Sequence, residues 1–197
     1  MNNQKTPTEI CQECGKERPA YNFTSLLIKE SEVAKVLCSK CYNRYFTSAN
    51  GLDDLEITEF GPTIITDSSG KDHVFHFDVR LTTGLGIEAF ELIDGDPGGY
   101  MFSVLVHPET PVHEAYVKLI GKIKNGLSIK YLELSDFGYG QKKMYLKHSA
   151  VNGRIEEKDD SPIAVVDGIE YGWDELGRCL SSHMRIPIQL TTDSDSN

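Results

Sequence analysis

The sequence has no long apolar run and no start typical of an exported protein. No stretch of about 18 apolar residues, the length that a bilayer-spanning helix needs, occurs in the 197-residue chain. The first residues, MNNQKTPTEI, are polar and lack the basic start and apolar core of a secretory signal. These absences predict a soluble cytoplasmic protein with no membrane partner.

Short motifs that carry common catalytic mechanisms are also missing. No G-x-S-x-G, P-loop or H-E-x-x-H pattern is present. The stretch GLGIEA at Gly84–Ala89 matches a loose nucleotide-binding pattern, but no long helix is expected after it. We therefore predict a protein that is not an enzyme, with no catalytic residue and no organic cofactor. An enzyme with a site near His107, His113 and the loop Asp94–Gly99 stays open as an alternative.

Cysteine is scarce, but four of the five cysteines form two matched pairs, CQEC and CSKC. Structural Zn²⁺ takes four ligands at tetrahedral corners, and each CxxC turn supplies two of them. A reducing cytosol favours such metal sites over disulfides. The spacing predicts one structural Zn²⁺ with no open position for a reacting water, held by Cys11, Cys14, Cys38 and Cys41. The fifth cysteine, Cys179, is predicted to be a buried apolar residue on a short helix.

Acidic residues dominate the chain except at its N-terminal end. The formal net charge of −10 disfavours nucleic-acid binding by the whole surface, because phosphate contacts need basic side chains. Residues 1–50 carry a net charge of +2 and the remainder −12. Nucleic-acid binding by the first region therefore stays open as an alternative, through Lys40, Arg44, Tyr42, Tyr45 and Phe46.

The polar segment Thr47–Glu56 marks a boundary in the sequence, since it contains a glycine and two adjacent aspartates. We predict a four-cysteine zinc module over residues 1–50 and a second domain over 51–197, with a core spanning about residues 55–191. The first module, with a knuckle, a hairpin and a second cysteine pair at a helix start, has the order of a treble clef or zinc ribbon.

The second domain is predicted to be a mainly antiparallel sheet with two helices, so the class is α+β. Apolar residues alternate from Phe75 to Leu81, and a helical period runs from about Pro111 to Asn125. The pattern also predicts a short helix over about Trp173–His183 and a hairpin turn at Asp167-Gly168. Three further expectations are a chain break at Asp94–Gly99, an exposed loop at Asn152–Pro162 and strands at Ile129–Leu134 and Arg185–Leu190.

The run CQECGKERPAYNF, followed by CSKC after 23 intervening residues from Cys14, resembles the N-terminal zinc module of the bacterial McsA family. Members of that family activate protein-arginine kinase. The resemblance covers about residues 10–46 and implies a compact zinc module used to dock proteins. Further cysteine pairs and a coiled-coil segment, which that family carries, have no counterpart here, and the kinase-activating role is not carried over.

Together these features predict a zinc-binding cytoplasmic adaptor or regulatory protein that acts through contact with another protein. Its zinc is expected to hold the fold and perform no chemistry, because four thiolates fill the tetrahedral shell.

Overall fold

The structure is a computed structural model that describes residues 6–28, 33–52, 57–136, 142–148 and 150–181. The chain divides into two compact units, Met1–Ser128 and Ile129–Asn197. Across these described ranges the fold is mixed, with three α-helices and antiparallel sheets. This agrees with the predicted α+β class. Within the same ranges, no helix combines the length and the apolar character needed to cross a bilayer.

The first unit begins with two small antiparallel pairs and a helix. Strand β1 (Thr8–Ile10) pairs with β2 (Glu17–Pro19), and β3 (Phe23–Ile28) pairs with β4 (Val33–Cys38). A 3₁₀ turn lies between the two pairs, and helix α1 (Ser39–Ala49) follows β4 directly. The predicted hairpin and the predicted helix at the second cysteine pair are both confirmed.

A four-stranded antiparallel sheet in the order β5-β6-β7-β8 forms the body of the first unit. Its strands are β5 (Thr63–Thr66), β6 (Asp72–Leu81), β7 (Leu85–Ile93) and β8 (Asp96–Val106). As the alternation in the sequence predicts, one face of β6 is buried, and its apolar residues are at most 4% exposed: Phe75, Phe77, Val79 and Leu81.

Helix α2 (Val112–Ser128) covers that face with an apolar stripe at four-residue spacing. The stripe is at most 1% exposed and consists of Ala115, Leu119, Ile123 and Leu127. The helix runs beyond its predicted end at Asn125, because Gly126 does not terminate it. A side chain at that position would meet the ring of Phe102, so the glycine serves close packing of the helix on the sheet.

The predicted chain break at Asp94–Gly99 is wrong. Strand β8 already begins at Asp96, and only Asp94 and Gly95 form the turn, both with positive φ (54° and 95°). Two consecutive left-handed residues suit the right-handed twist of a tight hairpin, and Asp-Gly supplies them. The remaining glycines, Gly98 and Gly99, lie inside β8 beside a bulge that follows Phe90.

The second unit contains a hairpin, a three-stranded sheet and a helix. Strand β9 (Leu132–Asp136) pairs with β10 (Lys142–Leu146). The sheet has the order β11-β12-β13, from Gly153–Lys158, Ser161–Val166 and Ile169–Gly172, and α3 spans Trp173–Ser181. The predicted turn at Asp167-Gly168 is confirmed between β12 and β13. The predicted strand at Arg185–Leu190 and the predicted end of the short helix lie outside the described residues.

Two sequence expectations for this unit need correction. The predicted loop at Asn152–Pro162 is mostly the hairpin β11-β12, because Asp159 and Asp160 both adopt positive φ and close it. Aspartate tolerates that conformation, so a charged run here forms the tip of a hairpin. The strand predicted to start at Ile129 begins at Leu132, after α2 has extended to Ser128.

The predicted module boundary at residue 50 stays a prediction, and the compact units are divided after Ser128. The cysteine region belongs to the first compact unit together with the four-stranded sheet and α2. Contacts between α1 and β6, which no local sequence pattern reports, explain this grouping.

Candidate metal centre and the adjoining cleft

The first cysteine pair sits in a tight turn that is tied to the neighbouring hairpin. The N–H of Cys11 donates to the carbonyl of Lys16 (3.0 Å), and the N–H of Gly15 donates to the carbonyl of Cys11 (2.9 Å). Gln12 bonds Val36 of β4 through both its backbone N–H (3.1 Å) and its side-chain oxygen (2.9 Å). These bonds hold the CQEC turn against the strand that ends in the second pair.

The second cysteine pair is placed by the junction of β4 and α1. Cys38 is the last residue of the strand and the N-cap of the helix, and Cys41 lies in the first helical turn. A strand end followed by a helical turn aims both side chains back towards the CQEC turn. Leu37 packs at this junction, together with the partly buried Phe23, Leu26 and Tyr42.

The four predicted cysteines converge. Their Sγ atoms all lie within 4.8 Å of one another, and those of Cys14 and Cys38 are 3.9 Å apart. Tetrahedral Zn²⁺ with bonds of about 2.3 Å requires sulfur atoms about 3.8 Å apart. Cys11, Cys38 and Cys41 are at most 4% exposed, whereas Cys14 is exposed. The cluster can therefore hold one metal ion in a largely closed site.

The surroundings of the thiols differ in their effect on ionisation. Desolvation opposes ionisation of Cys11, but hydrogen bonds from the backbone N–H groups of Cys38, Cys14 and Glu13 outweigh it and lower its pKa to about 6. Burial raises the pKa of Cys38 and that of Cys41, and neighbouring thiols raise the pKa of Cys41 further, whereas hydrogen bonds from Cys41 oppose the rise at Cys38. Such a cluster releases protons when a cation enters, because metal ligands are thiolates.

One asparagine attaches the cysteine region to the sheet. Strand β5 pairs with β6 only as far as Phe75, which leaves the rest of that edge open. Asn43 of α1 fills part of it, since its Nδ2 donates to the carbonyl of Val79 (2.6 Å) and its Oδ1 accepts from the N–H of Leu81 (3.0 Å). The amide thus replaces a missing strand partner. Asn43 is only 5% exposed, and nothing in the local pattern marked it in advance.

A cleft of about 480 Å³ lies beside this attachment. One wall comes from the cysteine region, mainly from α1, and the others come from residues 57–61 and β6. Basic side chains of the cysteine region line it, namely Arg18, Lys40 and Arg44, and two carboxylates, those of Glu59 and Asp78, lie opposite. Arg18 reaches Glu59 at 3.3 Å, and Asp78 is paired with Arg80. Helix α1, which carries Cys41 and is capped by Cys38, therefore also forms part of a polar cleft.

The aromatic residues proposed as a stacking surface are only partly available. Tyr42 packs on the cysteine cluster and Phe46 on the core of the sheet. Tyr45 is 42% exposed, and Arg44 lies 3.6 Å from Glu13. The predicted set for nucleic-acid binding is thus reduced to Lys40, Arg44 and one exposed ring.

The residues considered for an enzyme site do not form a described cluster. His107 and His113 are both exposed, and His107 lies 3.9 Å from Glu109. Among the described residues, the four cysteines form the one group of three or more potential metal ligands. Cys179 is 4% exposed, as predicted, and burial raises its pKa.

Sequence reasoning missed a second polar cluster, inside the sheet. His73 is buried between two carboxylates, with Nδ1 2.6 Å from Glu91 Oε1 and Nε2 3.3 Å from Asp67 Oδ2. Asp67 Oδ1 also accepts from the N–H groups of Ser69 (2.8 Å) and Lys71 (3.0 Å). Each ring nitrogen thus has a carboxyl partner, and the three side chains form one buried hydrogen-bonded network.

Gly99 makes room for this cluster. Glu91 Oε2 accepts from the N–H of Tyr100 (3.0 Å), and a Cβ at Gly99 would lie 2.1 Å from that oxygen. Gly99 also has φ of +59°, a conformation that side chains rarely adopt. No sequence signal found the cluster, because its members come from a turn, β6 and β7.

The fold and site together define a class: a mixed α+β protein with a four-cysteine cluster able to hold a metal ion. Residues 58–128 match the family model of a domain of unknown function, DUF7686, and residues 131–193 match that of another, DUF7713. Neither match includes Cys11, Cys14, Cys38 or Cys41. Comparisons with curated proteins and with solved structures gave no significant match.

Proposed function

We propose that this chain is a zinc-binding cytoplasmic adaptor or regulatory protein that acts by binding another protein. In this proposal Zn²⁺ is held by Cys11, Cys14, Cys38 and Cys41 in a treble-clef module of the kind that the resemblance to the McsA family suggests. Four thiolates at tetrahedral corners leave no position for a substrate or a reacting water. The metal would stabilise the module and supply no chemistry.

The observation that carries the proposal is that the metal cluster and the cleft share a helix. Cys38 and Cys41 fix the start of α1, while Lys40 and Arg44 of the same helix line the cleft. A closed metal site that fixes the wall of a polar cleft is suited to binding another protein in that cleft. The knuckle, hairpin and helix also bury few residues by themselves, so they depend on a metal for stability.

The second candidate is a nucleic-acid-binding regulator that uses the same helix. Lys40, Arg44 and the exposed ring of Tyr45 favour it. The inward packing of Tyr42 and Phe46 weakens it, because single-stranded nucleic acid is usually held by several stacked rings. Binding of this kind would fall steeply with salt concentration.

The test compares partners of three forms of the full-length chain recovered from its own cells. We expect one zinc per chain and a reproducible protein partner for the wild type and for Cys179→Ala, a buried cysteine outside the cluster. The Cys38→Ser variant should lose the zinc and about nine-tenths of the partner. Equal recovery by Cys38→Ser, or recovery of nucleic acid in place of protein, would overturn the proposal.

A further inference from the structure

We propose that the cleft beside α1 binds an acidic, extended segment of a partner protein. This rests on the proposed function and names the chemistry of what the chain recognises. The cleft lies within the first unit, and its volume of about 480 Å³ is in the range of pockets that hold ligands, about 300–1,000 Å³.

Charge supplies the first argument. The chain carries a net charge of −10, yet Arg18, Lys40 and Arg44 face one cleft. Arg18 and Arg44 each have a carboxylate nearby, Glu59 at 3.3 Å and Glu13 at 3.6 Å. Lys40 is exposed and has no carboxylate within ion-pair distance among the described residues. An incoming carboxylate can therefore pair with Lys40 directly, and it can pair with Arg18 or Arg44 by replacing a carboxylate of the chain.

The other polar groups of the cleft favour a peptide over nucleic acid. Glu59 and Asp78 repel a chain of closely spaced phosphates. A peptide avoids this, since its carboxylates can be spaced apart and its backbone offers N–H donors in between.

The walls of the cleft are well fixed, which suits recognition of a short segment. The side-chain amide of Asn43 holds α1 at the edge of β6 by hydrogen bonds to the carbonyl of Val79 (2.6 Å) and the N–H of Leu81 (3.0 Å). The ring of His76 in the lining packs against Tyr21 and Phe90, with centroids 5.0 Å away in each case. Burial lowers the pKa of His76, so it stays neutral at pH 7 and adds no fourth cation. A preformed wall reduces the ordering cost of binding.

The experiment selects binders from a library of random short peptides displayed on phage, using the zinc-loaded full-length chain as bait. We expect the selected peptides to be enriched in Asp and Glu, and to compete with one another for one site. Lys40→Glu should weaken their binding about tenfold, because attraction becomes repulsion at the unengaged cation. Lys16→Glu is the matched control: it makes the same charge change on an exposed residue of the cysteine region outside the cleft, and should leave binding unchanged.

Three results would overturn the inference. Selected peptides could lack acidic residues, they could bind Lys40→Glu as well as the wild type, or an oligothymidylate could bind the wild type and not Lys40→Glu. These three results concern only the cleft, and the proposed function stands if a protein partner is recovered from cells in a zinc-dependent way. The proposed function itself fails only if no such partner is recovered. Unchanged circular dichroism and zinc content in Lys40→Glu establish that the variant is folded.

Discussion

The first unit buries two polar clusters, and they are held together in opposite ways. In the cysteine cluster, burial raises the pKa of Cys38 and that of Cys41, and the four thiols lie close enough together to hold a metal ion. In the other cluster, His73 lies between Asp67 and Glu91, and these partners belong to the chain itself. One cluster can therefore take a metal from outside, whereas the other is formed by residues of the sheet and its turn. The two clusters should therefore be disrupted by different substitutions and conditions.

The largest effect is expected from breaking the cysteine cluster. Cys38→Ser should reduce bound zinc from one per chain to none and unfold the cysteine region, because metal binding supplies on the order of 10 kcal/mol to such modules. Metal analysis and hydrogen exchange measure this. Amides in β3, β4 and α1 should lose protection while those in β6 and β7 keep it. Cys179→Ser, with the same chemistry at a cysteine outside the cluster, should retain its zinc. Full zinc content in Cys38→Ser would show that the metal is held elsewhere.

Breaking the cluster of His73, Asp67 and Glu91 is expected to lower stability without changing the zinc content. His73→Leu removes the ring that bonds two buried acids and should reduce the free energy of unfolding by about 3–5 kcal/mol. Urea denaturation of the zinc-loaded protein measures this, with His107→Leu as an exposed control that should stay within about 0.5 kcal/mol of the wild type. Zinc content should not change in either variant. A loss of less than 1 kcal/mol in His73→Leu would mean that the triad contributes little net stability.

A smaller effect is expected at the glycine that admits Glu91. Gly99→Ala and Gly70→Ala both place a side chain at positive φ, which costs about 1–2 kcal/mol. Only Gly99→Ala also pushes the Glu91 carboxylate away from its partners, since nothing lies within 4 Å of a Cβ at Gly70. Denaturation of both variants should therefore show Gly99→Ala to be less stable by a further 1–3 kcal/mol or so, the usual penalty of an unsatisfied buried polar group. Equal losses would indicate that the bulge relaxes around the new methyl group.

The smallest effect is expected from lowering the pH, which protonates Asp67. The hydroxyl of Ser69, together with the backbone N–H groups of Lys71 and Ser69, holds the pKa of Asp67 well below its usual range. A folded-state pKa below the unfolded value of about 3.9 stabilises the protein above that pH, and this stability is lost as the pH falls further. The difference in unfolding free energy between wild type and Asp67→Asn should be constant above about pH 5 and shrink below about pH 4.

A chelator should be present in this titration, so that acid release of the metal does not contribute. Asp72→Asn serves as the control, because its exposed carboxylate accepts one bond from Thr66 (2.7 Å). That variant should differ from the wild type by less than about 0.5 kcal/mol throughout. A wild-type advantage over Asp67→Asn that stays the same from pH 5 down to pH 2.5 would mean that the ionised carboxylate is not its source.

Much of the first unit follows from local pattern. The alternation from Phe75 to Leu81 predicts β6, and the four-residue period from Ala115 to Leu127 predicts α2, because each element buries one face. The two CxxC turns predict that they converge on one ion, because each turn supplies only two of the four ligands that a tetrahedral site takes. The chain break and the exposed loop were predicted wrongly, because Asp94-Gly95 and Asp159-Asp160 adopt positive φ and close hairpins within polar stretches.

Contacts between distant residues could not be predicted. Asp67, His73 and Glu91 meet only because β6 and β7 pair in one register and β8 carries a glycine at the bulge. The alternation puts His73 on the face of Phe75 and Glu91 on the face of Ala89, but it does not show that these two residues meet each other and Asp67. Asn43 is likewise unremarkable in a polar helix, yet its amide completes the edge of β6.

The sequence by itself determined the metal-binding capacity, the mixed class and the main strands and helices, because turn spacing and side-chain periodicity are local. Tertiary structure alone decided that the cysteine region joins the sheet in one unit, that a basic cleft forms where they meet, and that a histidine is buried between two acids. Each of these depends on strand register and on side chains far apart in sequence, whose partners exist only after the chain has folded.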